Sequence, residues 1–208
     1  MNWEVIIKYL PKLLEGAWLT LELVGIAVIA GLILAIPLGV ARASQHWYVR
    51  VFPYSYIFFF RGTPLLVQLF LVYYGLPQFD IIREGPLWPY LRSPFWCAAI
   101  TMTLHTAAYI AEIIRGAIQA IPAGEIEAAR ALGMSKWQTL IYITMPRATR
   151  IGLPAYSNEV ILMLKASALA STITLLELTG MARTIIARTY LPVATSFAAG
   201  LLSLLISY

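Results

Sequence analysis

Apolar residues in this chain come in long blocks rather than in alternation. From Trp18 to Val40 only Thr20 and Glu22 interrupt the first block, which closes at Arg42, His46 and Arg50. About 20 apolar residues cross a hydrocarbon core of about 30 Å, and a single segment satisfies its own backbone there only as a helix. The block therefore predicts a first membrane span. Tyr54 to Phe60 is aromatic and apolar, the run Tyr56 to Phe60 simplest as a belt at the membrane interface, until Arg61-Gly62-Thr63-Pro64 breaks it. Thr63 is the predicted N-cap and Pro64 the first helical residue of a second span reaching about Leu76. That span is short, so helical turns upstream of the break are expected to extend it at an angle. Asp80 to Pro94, rich in proline, glycine and charge, predicts an external loop, and Phe95 to Ile114 a third span closed by Arg115. A fourth runs from about Ile151 to Ile173 and contains Asn158, Glu159 and Lys165. A polar-flecked connection, Glu177 to Tyr190, leads to a fifth from about Leu191 to the end.

Between the third and fourth spans, Ile121 to Arg150 holds Glu125, Glu127, Arg130, Lys136, Arg147 and Arg150 among the breakers Pro122, Gly133 and Pro146. Such a segment belongs in water, as two short helices. Ala128, Ala129 and Ala131 favour helix and leave a thin surface that another protein can approach closely. Gly133 can supply the left-handed residue that stops the first helix, and Ser135 can cap the second.

Composition agrees with a membrane bundle and excludes several functions. Of 208 residues, 60% are hydrophobic and 12% charged, against about 25% charged in soluble domains. The formal charge of +5 is scattered beside apolar spans, which points to topology control rather than to nucleic acid. Cys97 is the single cysteine, and no Cys/His spacing suggests a metal site. No phosphate loop of the form GxxxxGK[ST] occurs, and no nucleophile with a base, so neither ATP hydrolysis nor other enzyme chemistry is expected in the chain itself. Met1 to Gly16 carries Glu4, Lys8, Pro11, Lys12 and Glu15 in place of a signal peptide's basic start and short apolar stretch, so the first span is expected to be retained. Basic residues concentrate in segments 41 to 61 and 115 to 150, which predicts these as cytoplasmic, the N-terminus as outside and, after five spans, the C-terminus as inside; Arg183 and Arg188 run against this count.

The loop sequence Glu127-Ala128-Ala129-Arg130-Ala131-Leu132-Gly133-Met134-Ser135-Lys136-Trp137, followed by Ile143-Thr144-Met145-Pro146, resembles the EAA loop of binding-protein-dependent ABC importer permeases. Further segments resemble the polar amino-acid branch of that family: Phe60 to Gln68, Ala111 to Ile118 and Leu153 to Ile161. The likeness covers nearly the whole chain, and within the branch it is similar to the permease subunits of histidine and lysine/arginine/ornithine importers. Such permeases usually continue into a basic cytoplasmic tail, whereas this sequence stops at Tyr208. The resemblance implies an all-α membrane protein of about five transmembrane helices with the type I importer permease fold. It implies one permease domain over residues 1–208, with residues 119–150 as the cytoplasmic coupling loop. It also implies ATP-binding cassette partners that carry ATP and Mg, a second permease subunit, identical or paralogous, an external substrate-binding protein, and a bacterial cytoplasmic (inner) membrane location. In that family the loop docks on the ATP-binding subunit, which makes Glu125, Glu127, Ala128, Ala129, Arg130, Gly133, Met134, Ser135 and Lys136 the expected coupling residues.

The resemblance also implies that the helices flanking the loop line the path. On the third span, Met102, Thr106 and Tyr109 share a stripe, overlapped by His105, Tyr109 and Glu112; on the fourth, Met163 and Ala166 follow Glu159 at i+4 and i+7, with Asn158 beside it. A guanidinium, ammonium or imidazolium group passing through needs an anion and hydrogen-bond acceptors, which Glu159, Asn158 and Tyr109 supply. The expected substrate contacts are Glu159, Asn158, Tyr109, Thr106, Met102 and Met163. The competing reading of Glu159 is internal pairing, with Lys165 or with a partner subunit. Arg61 and Glu112, near the inner ends of their spans, read as a structural ion pair, and His105 as a packing residue rather than a proton relay. The expected function is import of amino acids, basic ones foremost, by alternating access. The alternative is a proton-coupled secondary carrier using Glu112, Glu159 and His105, for which the inverted repeats of such carriers are not found.

Overall fold

The computed structural model describes residues 3–207, and among these there is helix and no strand. In chain order the α-helices are α1 (Trp3–Arg42), α2 (Trp47–Gly62), α3 (Leu65–Phe70), α4 (Asp80–Arg83), α5 (Trp88–Leu91), α6 (Pro94–Gln119), α7 (Ala123–Ala131), α8 (Lys136–Thr139), α9 (Met145–Ala166), α10 (Leu178–Thr189) and α11 (Pro192–Ser207). All five expected spans are helical. Two are long and apolar enough to cross alone, within Ile6–Arg42 and Pro94–Gln119, and up to four qualify if each broken pair of helices is one span. The last, α11, is a shorter apolar helix whose expected end at Tyr208 lies outside the described residues.

The chain forms two compact units that interleave in sequence. The first comprises Met1–Val28, Pro64–Thr103 and Ile161–Tyr208, and the second Ile29–Thr63 and Leu104–Val160.

In the first unit, α1 starts well before the predicted Trp18. Its 40 residues reach about 60 Å at 1.5 Å per residue, twice the hydrocarbon thickness. The early turns are helical because Leu13, Ala17 and Thr20 recur on one buried face while Lys8, Lys12 and Glu15 ride on the exposed one. Counting charges hides that periodicity. Leu13 and Ala17 pack with Leu178, Ala182, Ile185 and Ala198, so the α1 face is matched by α10 and α11.

The segment expected as a connection, Glu177 to Tyr190, is the helix α10, and its N-terminus shows why. The Glu177 carboxylate accepts from the backbone N–H groups of Thr179 and Gly180, both at 2.8 Å, and Thr20 Oγ1 accepts from Leu178 N at 3.1 Å. Donors that a helix leaves orphaned are thus met by one acidic cap and one hydroxyl from α1. Thr20 in turn donates to the Gly16 carbonyl at 2.9 Å. A Cβ on Gly16 would sit 3.1 Å from the Leu178 Cα, so glycine permits the close approach of α1 and α10. Tyr190, in the left-handed region at φ +55°, ends the helix.

The break after Phe60 differs from the sequence expectation. Thr63 does not cap the following helix: its N–H and its Oγ1 both donate to the Phe59 carbonyl, at 3.1 and 2.8 Å, and so close α2. Pro64, extended at ψ 137°, takes the N-cap place and Leu65 begins α3. A threonine hydroxyl one turn past a free carbonyl bonds backward as readily as forward. After α3 the chain continues as a π turn, Leu71–Gly75, and a 3-10 turn, Leu76–Gln78.

In the second unit, Ala35 of α1, Ile57 of α2 and Ala108, Ile110 and Ala111 of α6 form the core. A Cβ on Gly39 would lie 2.7 Å from Ile114 Cβ and 2.8 Å from the Ala111 carbonyl oxygen, so α1 and α6 touch backbone to backbone there. The Tyr56 hydroxyl donates to the Leu104 carbonyl at 2.6 Å and fixes α2 on α6.

Candidate functional site

The loop between α6 and α9 is built as the sequence predicts up to its last turn. Pro122 precedes α7, and Gly133 stands at φ +80° just beyond it. Met134 N donates to the Ala129 carbonyl at 3.1 Å and Gly133 N to the Arg130 carbonyl at 2.9 Å, the bond pair of a Schellman ending. Ser135 and Gln138 then exchange side-chain bonds with each other's backbone N–H, at 3.2 and 2.8 Å, as a capping box opening α8.

The second helix of the loop does not stop short of the fourth span, contrary to the sequence expectation. From Lys136 it runs through a π turn, Leu140–Thr144, directly into α9. Pro146, expected as a breaker, lies in the first turn of α9. Proline lacks an N–H and crowds the carbonyl four residues back, and the wider π turn immediately before it opens the ladder where that bond would be missing. α8, the π turn and α9 thus form one continuous helical rod that reaches Glu159. Glu125 of α7 braces the rod, its two carboxylate oxygens accepting from Nε and Nη2 of Arg147, with the Nε bond at 2.9 Å.

The exposed face of the loop carries Glu127, Ala128 and Arg130 together with Leu132 and Trp137, which are 84% and 68% exposed. Both apolar side chains stand bare within a charged segment. The expected coupling residues leave out both, although apolar residues flanking a glycine turn in an aqueous loop are a signal the sequence offers.

Deeper in the same unit, Arg61 gathers groups that the sequence divides between a structural pair and a substrate site. Its guanidinium lies 5.1 Å from the centroid of the Tyr109 ring and 3.8 Å from Glu112 Oε1. Its charge also reaches Glu159. Glu112 is held more closely by Arg115, at 2.6 Å, so Arg61 is the looser of its two cations. Glu159 is buried at 7% exposure, whereas Asn158 beside it faces outward, as neighbours on a helix must. Tyr109 is half-buried and stacks at 4.9 Å on His105. Thr106 is fully enclosed, its hydroxyl without a hydrogen-bond partner. Met102 and Met163 belong to the first unit and are enclosed at 0% and 1% exposure. Lys165 is an exposed residue of that unit. Among the described residues no cluster of His, Cys, Asp and Glu could hold a metal.

Comparison with known proteins agrees with this architecture. Residues 27–208 match the model of the family described as binding-protein-dependent transport system inner membrane component. The chain is 47% identical over 206 residues to the octopine transport system permease protein OccM of Rhizobium meliloti, covering 99% of this chain and 82% of that protein. It is 43% identical over 213 residues to the histidine/lysine/arginine/ornithine transport system permease protein HisM of Salmonella typhimurium, covering 99% and 91%. Among solved structures it superposes on a chain of an amino acid ABC transporter crystallised with histidines, at TM-score 0.86 and 34% identity over 100% of this chain and 92% of that one. The MetNI methionine ABC transporter, at 19% identity and TM-score 0.80, shares the fold. With most of its length matched by that model and relatives this similar, the chain belongs to the family of binding-protein-dependent transport system inner membrane components.

Proposed function

We propose that the chain is the membrane path for amino acids with cationic side chains, imported by alternating access that ATP hydrolysis in separate partner subunits drives. The whole chain acts as one permease domain, N-terminus outside and C-terminus inside, beside a second permease subunit and beneath an external binding protein. ATP and Mg belong to the partner ATPases, which take the loop of residues 119–150 as their docking surface. Relatives named for octopine, nopaline and histidine/lysine/arginine/ornithine transport support the substrate class. No observation favours a proton-coupled carrier.

The observation that carries the reading is a buried Glu159 with a guanidinium already nearby. A lone carboxylate inside a membrane bundle is costly and calls for a cation. Arg61 meets that need from a distance, without an ion pair to Glu159 among the described residues. A substrate guanidinium, ammonium or imidazolium reaching Glu159 takes over that role directly, with Tyr109 offering a ring face; Asn158 faces outward from Glu159 and would serve as an acceptor only on the exposed side of α9. Thr106, one turn from Tyr109 on α6, completes the contacts of this unit, while Met102 and Met163, also expected as contacts, belong to the first.

The test is Glu159→Gln in the assembled complex. A charge-assisted hydrogen bond contributes about 1.5 to 3 kcal/mol, so binding of a basic amino acid within the membrane should weaken roughly ten- to a hundredfold. Uptake of a basic and of a neutral substrate is measured together with assembly and ATPase activity. An equal fall for both substrates, or failure to assemble, makes Glu159 a structural residue.

A further inference from the structure

The last turn of α1 and the first two turns of α2 enclose a cavity of ≈ 320 Å³ lined by Arg42, Trp47, Arg50, Val51 and Tyr54. Its two cations lack anions. Neither Arg42 nor Arg50 makes an ion pair among the described residues. The carboxylate whose field Arg42 shares, Glu112, is already held by Arg115 and Arg61. The Arg42 guanidinium lies 4.9 Å from the Tyr54 ring centroid, which orients it, and its Nε is buried without a hydrogen-bond partner. A buried donor on a charged group is expensive to leave unmet.

A second feature of the same place points to an anion. α2 is a 16-residue helix with no acidic residue in its first turn and no side-chain cap from His46. The N–H groups of Val49 and Arg50 are met by the His46 carbonyl, while the positive end of the helix dipole carries no acidic group beside the two arginines. Trp47, 71% exposed, and Val51, at 50%, give the opening apolar surface. Arg42 also closes the apolar run that begins at Trp18, so the cavity stands at the boundary between hydrocarbon and water. An anion held there has acyl chains for neighbours.

We propose that this cavity binds the phosphodiester of an anionic phospholipid, the Arg42 and Arg50 guanidiniums taking the phosphate oxygens and Trp47 and Val51 lying against the glycerol and upper acyl chain. Planar guanidiniums suit such oxygens through paired N–H bonds, which lysine does not reproduce.

The experiment is native mass spectrometry of the complex extracted in mild detergent and incubated with phosphatidylglycerol. Wild type should retain the lipid at least roughly tenfold better than Arg42→Gln/Arg50→Gln, the loss of charge-assisted contacts. Arg42→Lys/Arg50→Lys should lie between. Should the double glutamine variant fail to assemble, Arg50→Gln alone, at an exposed position, should still lower retention several-fold. Phosphatidylcholine should be retained less than phosphatidylglycerol, and inorganic phosphate in large excess should displace little of the lipid. Equal retention by wild type and the glutamine variants overturns the site. Equal retention of the two lipids overturns its preference for anionic headgroups, and full displacement by inorganic phosphate makes the occupant free phosphate.

Discussion

Gly133 offers a clean separation between backbone and side-chain effects in the loop between α6 and α9, the proposed coupling segment. It holds φ +80°, and a Cβ built there meets nothing within 4 Å. A substitution therefore costs only the strain of a left-handed residue, about 1 to 2 kcal/mol for an ordinary side chain and more for a β-branched one. Asparagine visits that region readily and should cost little. Since about 1.4 kcal/mol is a tenfold change in an equilibrium, Gly133→Ala should lower the population of the native turn several-fold, and Gly133→Val further. Losing the turn breaks the Met134 to Ala129 bond and redirects α8 and the rod behind it.

The assay is substrate uptake and stimulated ATP hydrolysis, measured together for the complex reconstituted in liposomes. Uptake per ATP should fall in the order Gly, Asn, Ala, Val, with assembly intact. If asparagine proves as harmful as valine, position 133 acts through contact with a partner rather than through its φ, and the argument fails. Normal coupling by the valine variant would remove the loop from the transmission path altogether.

Three further outcomes rest on the same geometry. Reversing the brace, Glu125→Arg with Arg147→Glu, should recover uptake lost in either single variant, and a swap no better than the singles would show that the pair does not position the loop. Gly39→Ala brings a methyl to 2.7 Å from Ile114 Cβ and 2.8 Å from the Ala111 carbonyl oxygen, so the overpacking should cost about 1 to 3 kcal/mol and lower the unfolding midpoint in detergent; an unchanged midpoint would mean that α1 shifts freely on α6. Thr20→Val preserves shape but strips the acceptor from Leu178 N–H, a buried donor, at a cost of about 1 to 3 kcal/mol, which protease susceptibility of α10 should register as faster cleavage.

Much of the helix content is legible because apolar blocks and breakers carry most of the information in a membrane chain. Gly133 and Ser135 are readable at the residue level, since a glycine after an alanine-rich run and a serine three residues before glutamine have local geometric meaning. Two of the departures share a cause, a partner distant in sequence. Glu177 to Tyr190 reads as a connection because its threonines and arginines mask the buried Leu178, Ala182 and Ile185, whose partners lie on α1 and α11. The early turns of α1 are hidden by Lys8, Lys12 and Glu15 for the same reason. Pro146 misleads differently, because nothing local announces the π turn that accommodates it.

The charged cluster shows the same dependence on distance in the sequence and bears directly on substrate choice. Arg61 comes from α2, Tyr109, Glu112 and Arg115 from α6, and Glu159 from α9, so no local motif assembles them. Arg61 and Arg115 face Glu112 and Glu159, and the charge of Arg42 also reaches Glu112, so the cluster holds no excess of anions as it stands. In a medium of low dielectric constant, adding a second free cation to such a set is unfavourable, whereas exchanging one cation for another is not. Arg115 keeps Glu112 neutralised at 2.6 Å after Arg61 withdraws, so Arg61 alone can be exchanged without leaving Glu112 bare. A substrate with one side-chain cation beside Glu159 thereby restores the balance that the withdrawal of Arg61 upsets, while a neutral side chain leaves Glu159 uncompensated unless Arg61 stays. On the proposed function, basic amino acids are favoured by this exchange, and the arginine that stands in for them is part of the selectivity rather than a structural pair alone.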